Sequence, residues 1–231
     1  MRTVGVLGGM GPAATLDFLG KLQARTGAQR DQDHVRTLVD INPHVPNRNE
    51  AITDDAESPA LVLIAMAQGL ERAGAEGLVI ACNSAHAWAD EIEGAVSIPL
   101  INLVDAVADA VVAEGLRGMH VGVLAADACL EAELYQNALR ARGVQPLVLE
   151  DDERERFMER LYRIKAGDTG PDSRRDMHAL AFTLIDRGAK AIVAACTEIP
   201  LVLGPGDLPV PVIDSTDVLV AETLAFARDE G

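Results

Sequence analysis

The chain has 231 residues, with 20 Lys and Arg against 36 Asp and Glu, so its formal net charge is −16 at pH 7. With 48% hydrophobic and 24% charged residues and a mean hydropathy of +0.12, the composition is globular and excludes a disordered chain. The negative charge disfavours nucleic acid and anionic membrane surfaces as partners, because no surplus of cations exists to displace counterions; a small anionic substrate needs local Arg or Lys.

In chain order, β-branched runs at residues 3–7, 37–41, 78–81 and 100–102 predict buried strands in the first half. An amphipathic run at 13–22 and helical spacing at 60–73 and 105–114 separate them, with glycine stops where helices end. The second half predicts a strand at 120–124, a helix at 130–142, a strand at 145–149, helices within 152–166 and 173–187, and a strand at 191–194. Strands separated by helices imply right-handed βαβ units and parallel sheets covered on both faces. In such sheets ligands sit beyond the carboxyl ends of the strands.

The chain contains itself twice. Val4-Gly5-Val6-Leu7 returns as Val121-Gly122-Val123-Leu124, and the stretch from Leu70 to Asn83 returns as that from Leu184 to Thr197. Ile98-Pro99-Leu100-Ile101 returns as Val210-Pro211-Val212-Ile213. Three matched blocks in one order imply two similar halves. The expected fold is therefore α/β, with two pseudo-symmetric domains, each a parallel sheet flanked by helices, and an active site in the cleft between them. The expected boundaries are residues 1–98 plus 210–231 for the first domain and 99–209 for the second.

Three cysteines, an odd number, argue against a disulfide framework and for a reducing compartment. The N-terminal apolar stretch is short and broken by glycine, and the longest apolar runs, such as 61–67, are too short to span a bilayer. A soluble, cytoplasmic protein is expected. No CxxC or HxxxH spacing suggests a metal cage, so no metal is expected.

Cys82 and Cys196 follow the predicted strands 78–81 and 191–194 at equivalent points of the repeat. Each precedes hydrogen-bonding residues, Asn83-Ser84 and Thr197-Glu198. A thiol at such a junction gains from the helix dipole and free backbone N–H groups, which favour the thiolate. A lone cysteine is more simply a small buried hydrophobe. Two at matched positions read as chemistry, whereas Cys129 sits off the pattern and reads as incidental.

The turn Gly8-Gly9-Met10-Gly11-Pro12 can be written as a dinucleotide fingerprint, but the acid expected about 20 residues on is missing. It reads better as a turn whose backbone amides approach a small carboxylate. Lysine is rare: Lys21, Lys165 and Lys190 are its three occurrences. Arg48, in the predicted loop 43–49, could hold a carboxylate bidentately, with Lys165 as a second point charge. His86, one turn past Cys82, is either a support to the cysteine or a core histidine.

These residues form a pattern. The glycine turn, Ala81-Cys82-Asn83-Ser84-Ala85-His86 and Ala195-Cys196-Thr197-Glu198-Ile199-Pro200-Leu201 resemble the aspartate racemase branch of the aspartate/glutamate racemase superfamily, through nearly the whole chain. The resemblance implies an amino-acid racemase that needs no cofactor, acts on a small molecule and forms a homodimer. It implies Cys82 and Cys196 as the acid/base pair, with Cys82 serving the D-substrate and Cys196 the L-substrate. It also implies Arg48 and Lys165 at the side-chain carboxylate, and Asn83, Ser84 and Thr197 at the α-carboxylate. Met10 is expected among the substrate contacts, with Glu198 and His86 behind the first layer.

One place departs from the family pattern. A Thr-rich turn usually follows the first strand of the second half, where this chain has Ala125-Ala126-Asp127-Ala128-Cys129. Aspartate remains the leading substrate, with glutamate next. The alternatives are an isomerase or decarboxylase of the maleate or arylmalonate type on the same scaffold, or a silent binding member of the fold.

Overall fold

The computed structural model describes residues 1–229. By its internal contacts the chain divides into two compact units, Met1–Ala106 together with the segment from Thr216 onward, and Val107–Ser215.

The first unit is built on β1 (Val4–Gly8), α1 (Pro12–Arg25), β2 (Thr37–Ile41), α2 (Arg48–Thr53), α3 (Ala60–Arg72), β3 (Gly77–Ile80) and α4 (Ala89–Glu93). Its sheet is parallel in the order β2-β1-β3, with Val4 opposite both Thr37 and Gly77. Every residue of β1 and β3 is buried, as their unbroken apolar sequences require of central parallel strands. At the edge, β2 leaves Val39 and Ile41 partly exposed. Helix α3 buries Leu63, Met66, Ala67 and Leu70, a spacing that lays one apolar stripe on the sheet.

Residues 100–102, expected as a strand, contribute a single bridge from Leu100 to Leu78. The reason is local: Asn102 Oδ1 accepts from the backbone N–H groups of Val104 and Asp105 at 3.0 and 3.2 Å, so α5 (Leu103–Ala113) starts at once.

The second unit contains β4 (His120–Ala125), α6 (Asp127–Glu131), α7 (Leu134–Ala141), β5 (Gln145–Leu147), α8 (Asp151–Lys165), α9 (Pro171–Asp186), β6 (Ile192–Ala195) and β7 (Val212–Asp214). Its sheet is parallel in the order β5-β4-β6-β7. The helix expected over 130–142 is two helices, because Glu133 takes a left-handed conformation at φ 49° and breaks the run. Helix α8 opens with a reciprocal capping box of Glu150 and Glu153 and ends on Arg163 and Lys165. It packs on α9, where the half-buried Arg160 bonds to Ser173 Oγ at 3.2 Å and to Asp176.

Finally α10 (Ser215–Arg228) returns to the first unit. The backbone N–H of Arg2 donates to Ala227 O at 2.8 Å, and Arg228 donates to Thr26 O at 2.7 Å. A Cβ on Gly77 would come within 2.4 Å of the Phe226 ring, so β3 needs glycine where this helix lies against it.

The fold is thus α/β with two parallel sheets flanked by helices, as expected. The divisions differ from those read in the sequence. Residues 210–215 go with the second unit, because β7 hydrogen-bonds to β6, and residues 99–106 stay with the first, where Leu100 bridges Leu78. Among the described residues no helix is long and apolar enough to cross a membrane.

Candidate active site

In the first unit, β3 runs through Ala81 into Cys82 and Asn83, then a 3-10 turn over Ser84–Trp88. Cys82 is a free thiol, 6% exposed, and Asn83 and Ser84 are buried beside it. His86 braces this turn. Its Nε2 accepts from Leu103 N at 3.2 Å, which puts the ring proton on Nδ1, 2.9 Å from the Cys82 carbonyl. Burial lowers the His86 pKa from 6.5 to about 4, so the ring is neutral at pH 7. His86 is buried, and its ring touches the Cys82 backbone carbonyl.

The glycine turn follows β1. Gly9 has φ 93°, and a Cβ there would lie 2.5 Å from the backbone N and C of Asn42. Thr15 ties the turn down, its Oγ1 accepting from Gly9 N at 2.9 Å and donating to Gly11 O at 3.0 Å. Thr15 does not stand out among the motifs of the sequence, although a Thr four residues past a turn glycine is a known local bonding pattern.

Met10 is buried, and its side chain shares an apolar cluster with Val45 and Cys82. Arg48, a loop residue by its sequence context, is the first residue of α2. Asn47 caps that helix by accepting from Asn49 N at 3.0 Å, and it donates to Glu50 Oε1 at 2.6 Å. The Arg48 guanidinium bonds to three carbonyls: Val45 at 3.1 Å, Pro46 at 2.9 Å and Met10 at 3.4 Å. Its Nε is buried with no partner among the described residues.

The second unit repeats the junction with different chemistry. Cys196 follows β6 and precedes Thr197, Glu198 and a 3-10 turn over Ile199–Leu201. Cys196 is a free thiol, 6% exposed, while Thr197 and Glu198 are each 2% exposed. The Cys196 thiol donates to Glu198 Oε2 at 3.1 Å, and the Thr197 hydroxyl donates to the same oxygen at 3.4 Å. Lys165 Nζ, from the last residue of α8, lies 3.6 Å from Glu198 Oε1. Burial first, then the Glu198 charge, pushes the Cys196 thiol well above its usual pKa, against the opposing pull of Lys165.

Asp127, the departure noted at the end of β4, begins α6 and is paired with Arg154 at 3.0 Å; Arg154 also binds Glu131. Arg154 had no signal in the sequence, since its partner lies in a distant segment. Cys129, on α6, is fully buried. Among the described residues no group of three His, Cys, Asp or Glu is arranged to hold a metal ion.

Residues 7–223 match the family model described as Asp/Glu/Hydantoin racemase. The broad specificity amino-acid racemase RacX of Bacillus subtilis (strain 168) is 27% identical over 229 residues, 96% of each chain. An aspartate racemase from Picrophilus torridus superposes with a TM-score of 0.89 and 29% identity, over 99% of this chain and 95% of its own. The glutamate racemase isoform RacE1 of Bacillus anthracis shares the fold, with a TM-score of 0.70 and 17% identity over 100% of this chain and 83% of that one.

Proposed function

The chain belongs to the Asp/Glu/hydantoin racemase family, and on that premise we propose that it racemises an acidic amino acid, aspartate first and glutamate next, through Cys82 and Cys196 and without a cofactor. One observation carries the reading: two free, buried thiols end equivalent strands of two repeated units.

Racemisation removes a proton from one face of Cα and returns a proton to the other. One thiol must act as thiolate and its counterpart as acid, and the reading requires the two to meet opposite faces of one substrate carbon. Cys82 takes the proton of the D-substrate and Cys196 that of the L-substrate. As the α-proton leaves, charge moves into the α-carboxylate, and the Asn83, Ser84 and Thr197 side chains with nearby backbone amides stabilise it there.

Arg48 supports the acidic substrate. A buried guanidinium N–H left without a partner is costly, and a substrate carboxylate would satisfy it. Lys165, with its ammonium partly exposed, supplies the second charge. Asp127 fits this reading, because Arg154 balances its charge within the protein. The homodimer and the cytoplasmic setting belong to the same reading; the three free thiols suit a reducing compartment.

The test is proton NMR in D₂O without added cofactor, on both enantiomers of aspartate, glutamate and several neutral amino acids. The expected result is loss of the α-proton signal of aspartate, with its mirror image seen on a chiral column. No exchange on any amino acid would overturn the reading and turn attention to maleate- and malonate-type substrates.

A further inference from the structure

The residue two positions past each cysteine differs between the units: Ser84 in the first, Glu198 in the second. Glu198 is 2% exposed and accepts from the Cys196 thiol and the Thr197 hydroxyl, with Lys165 beside its other oxygen. A buried carboxylate facing a thiol binds the S–H proton and repels the thiolate. Resting on the two-thiol reading above, we propose that Glu198 is a positioning residue that sets where the proton rests between turnovers, holding Cys196 as thiol in the free enzyme and leaving Cys82 as the thiolate, while each thiol still acts as base for its own enantiomer.

The surroundings allow this assignment. Glu198 and Lys165 are the charged groups that act on the Cys196 thiol, in opposite directions. On the neighbouring strands, Asp127 past the end of β4 is paired with Arg154, and Asp214 of β7 lies opposite Ala194. From α9, Arg174 donates to Leu201 O at 3.3 Å and His178 lies 3.8 Å from Asp207. Cys196 also shares an apolar cluster with Leu124, Leu161, Ile164 and Ile199. Two thiols that serve one substrate must differ in protonation, and a charge beside one of them sets that difference.

The experiment follows iodoacetamide alkylation of Cys196 against pH, by peptide mass spectrometry, in the whole protein and in Glu198→Gln and Lys165→Met. The readout is the pH midpoint, because intrinsic thiolate reactivity falls as pKa falls and blurs absolute rates. Glu198→Gln should lower the midpoint by about one unit or more, while Lys165→Met should raise it. Cys82, read in the same digest, should keep its own profile in Glu198→Gln. In kcat/KM, the alkaline limb of the pH profile should move down in Glu198→Gln and the acid limb should stay.

If Glu198→Gln does not fold by circular dichroism, Lys165→Met carries the test with the opposite sign. A Cys196 midpoint that ignores both substitutions overturns the proposal, even in an active racemase. Midpoints that move as expected in a protein without racemase activity leave Glu198 its hold on Cys196 and defeat the racemase reading instead.

Discussion

The two cysteine turns share a backbone plan and little else. Four residues past Cys82 stands His86, a neutral ring that bonds to the Cys82 carbonyl and to Leu103 N; four residues past Cys196 stands Pro200, within the 3-10 turn. The cation of the first unit, Arg48, is held by three carbonyls, whereas that of the second, Lys165, lies against the carboxylate of Glu198. The repeat therefore conserves position and varies charge. Two thiols in identical surroundings would hold their protons alike, and these surroundings are unequal.

The largest effect should come from removing either thiol. Cys82→Ser and Cys196→Ser should each lower racemisation by about 10²–10⁴-fold, with circular dichroism unchanged. Each variant should still exchange the α-proton of one enantiomer with retention, through the thiol left on that face. Full racemisation by both variants would break the comparison outright.

Next comes His86. Its pKa is about 4 in the folded chain against 6.5 unfolded, so below pH 6.5 the unfolded state takes up a proton that the native state refuses. Stability should fall as pH drops from 6.5 towards about 4, by as much as about 3 kcal/mol from this group. Urea unfolding across that range should show a shallower pH slope for His86→Gln; an equal slope would mean that the ring is already charged in the native state.

Arg48→Ala should lower kcat/KM for dicarboxylic substrates by about 10- to 100-fold, the worth of one charge-assisted contact, and change neutral substrates far less. Equal losses on both classes would return Arg48 to bracing the turn. Smallest of all, Cys129→Ala should leave activity unchanged and cost about 1 kcal/mol in unfolding experiments. A loss of activity there would draw α6 into the site.

Much of this was legible in the sequence. The repeated strand ends locate Cys82 and Cys196, because a buried parallel strand reads as a bare apolar run and the first polar side chains past its end stand out. The break at Glu133 was not legible, since the apolar spacing runs through it and the left-handed turn declares itself only in the backbone angle. Arg48 reads as a loop residue, although Asn47 three residues before Glu50 is a helix-start pattern that could have moved it onto α2. The links from Glu198 to Lys165 and from Asp127 to Arg154 join segments far apart in the chain, so spacing alone could not reveal them.

The return of α10 to the first unit has a consequence for how the protein is made. The second unit is one continuous stretch and can pack once Ser215 has left the ribosome. The first unit, begun earlier, must wait for the segment that seats Phe226 against Gly77 and joins Ala227 to Arg2. At roughly 5–20 residues per second that delay is on the order of ten seconds, during which β3 lacks the helix that covers it. The half that emerges first is completed last.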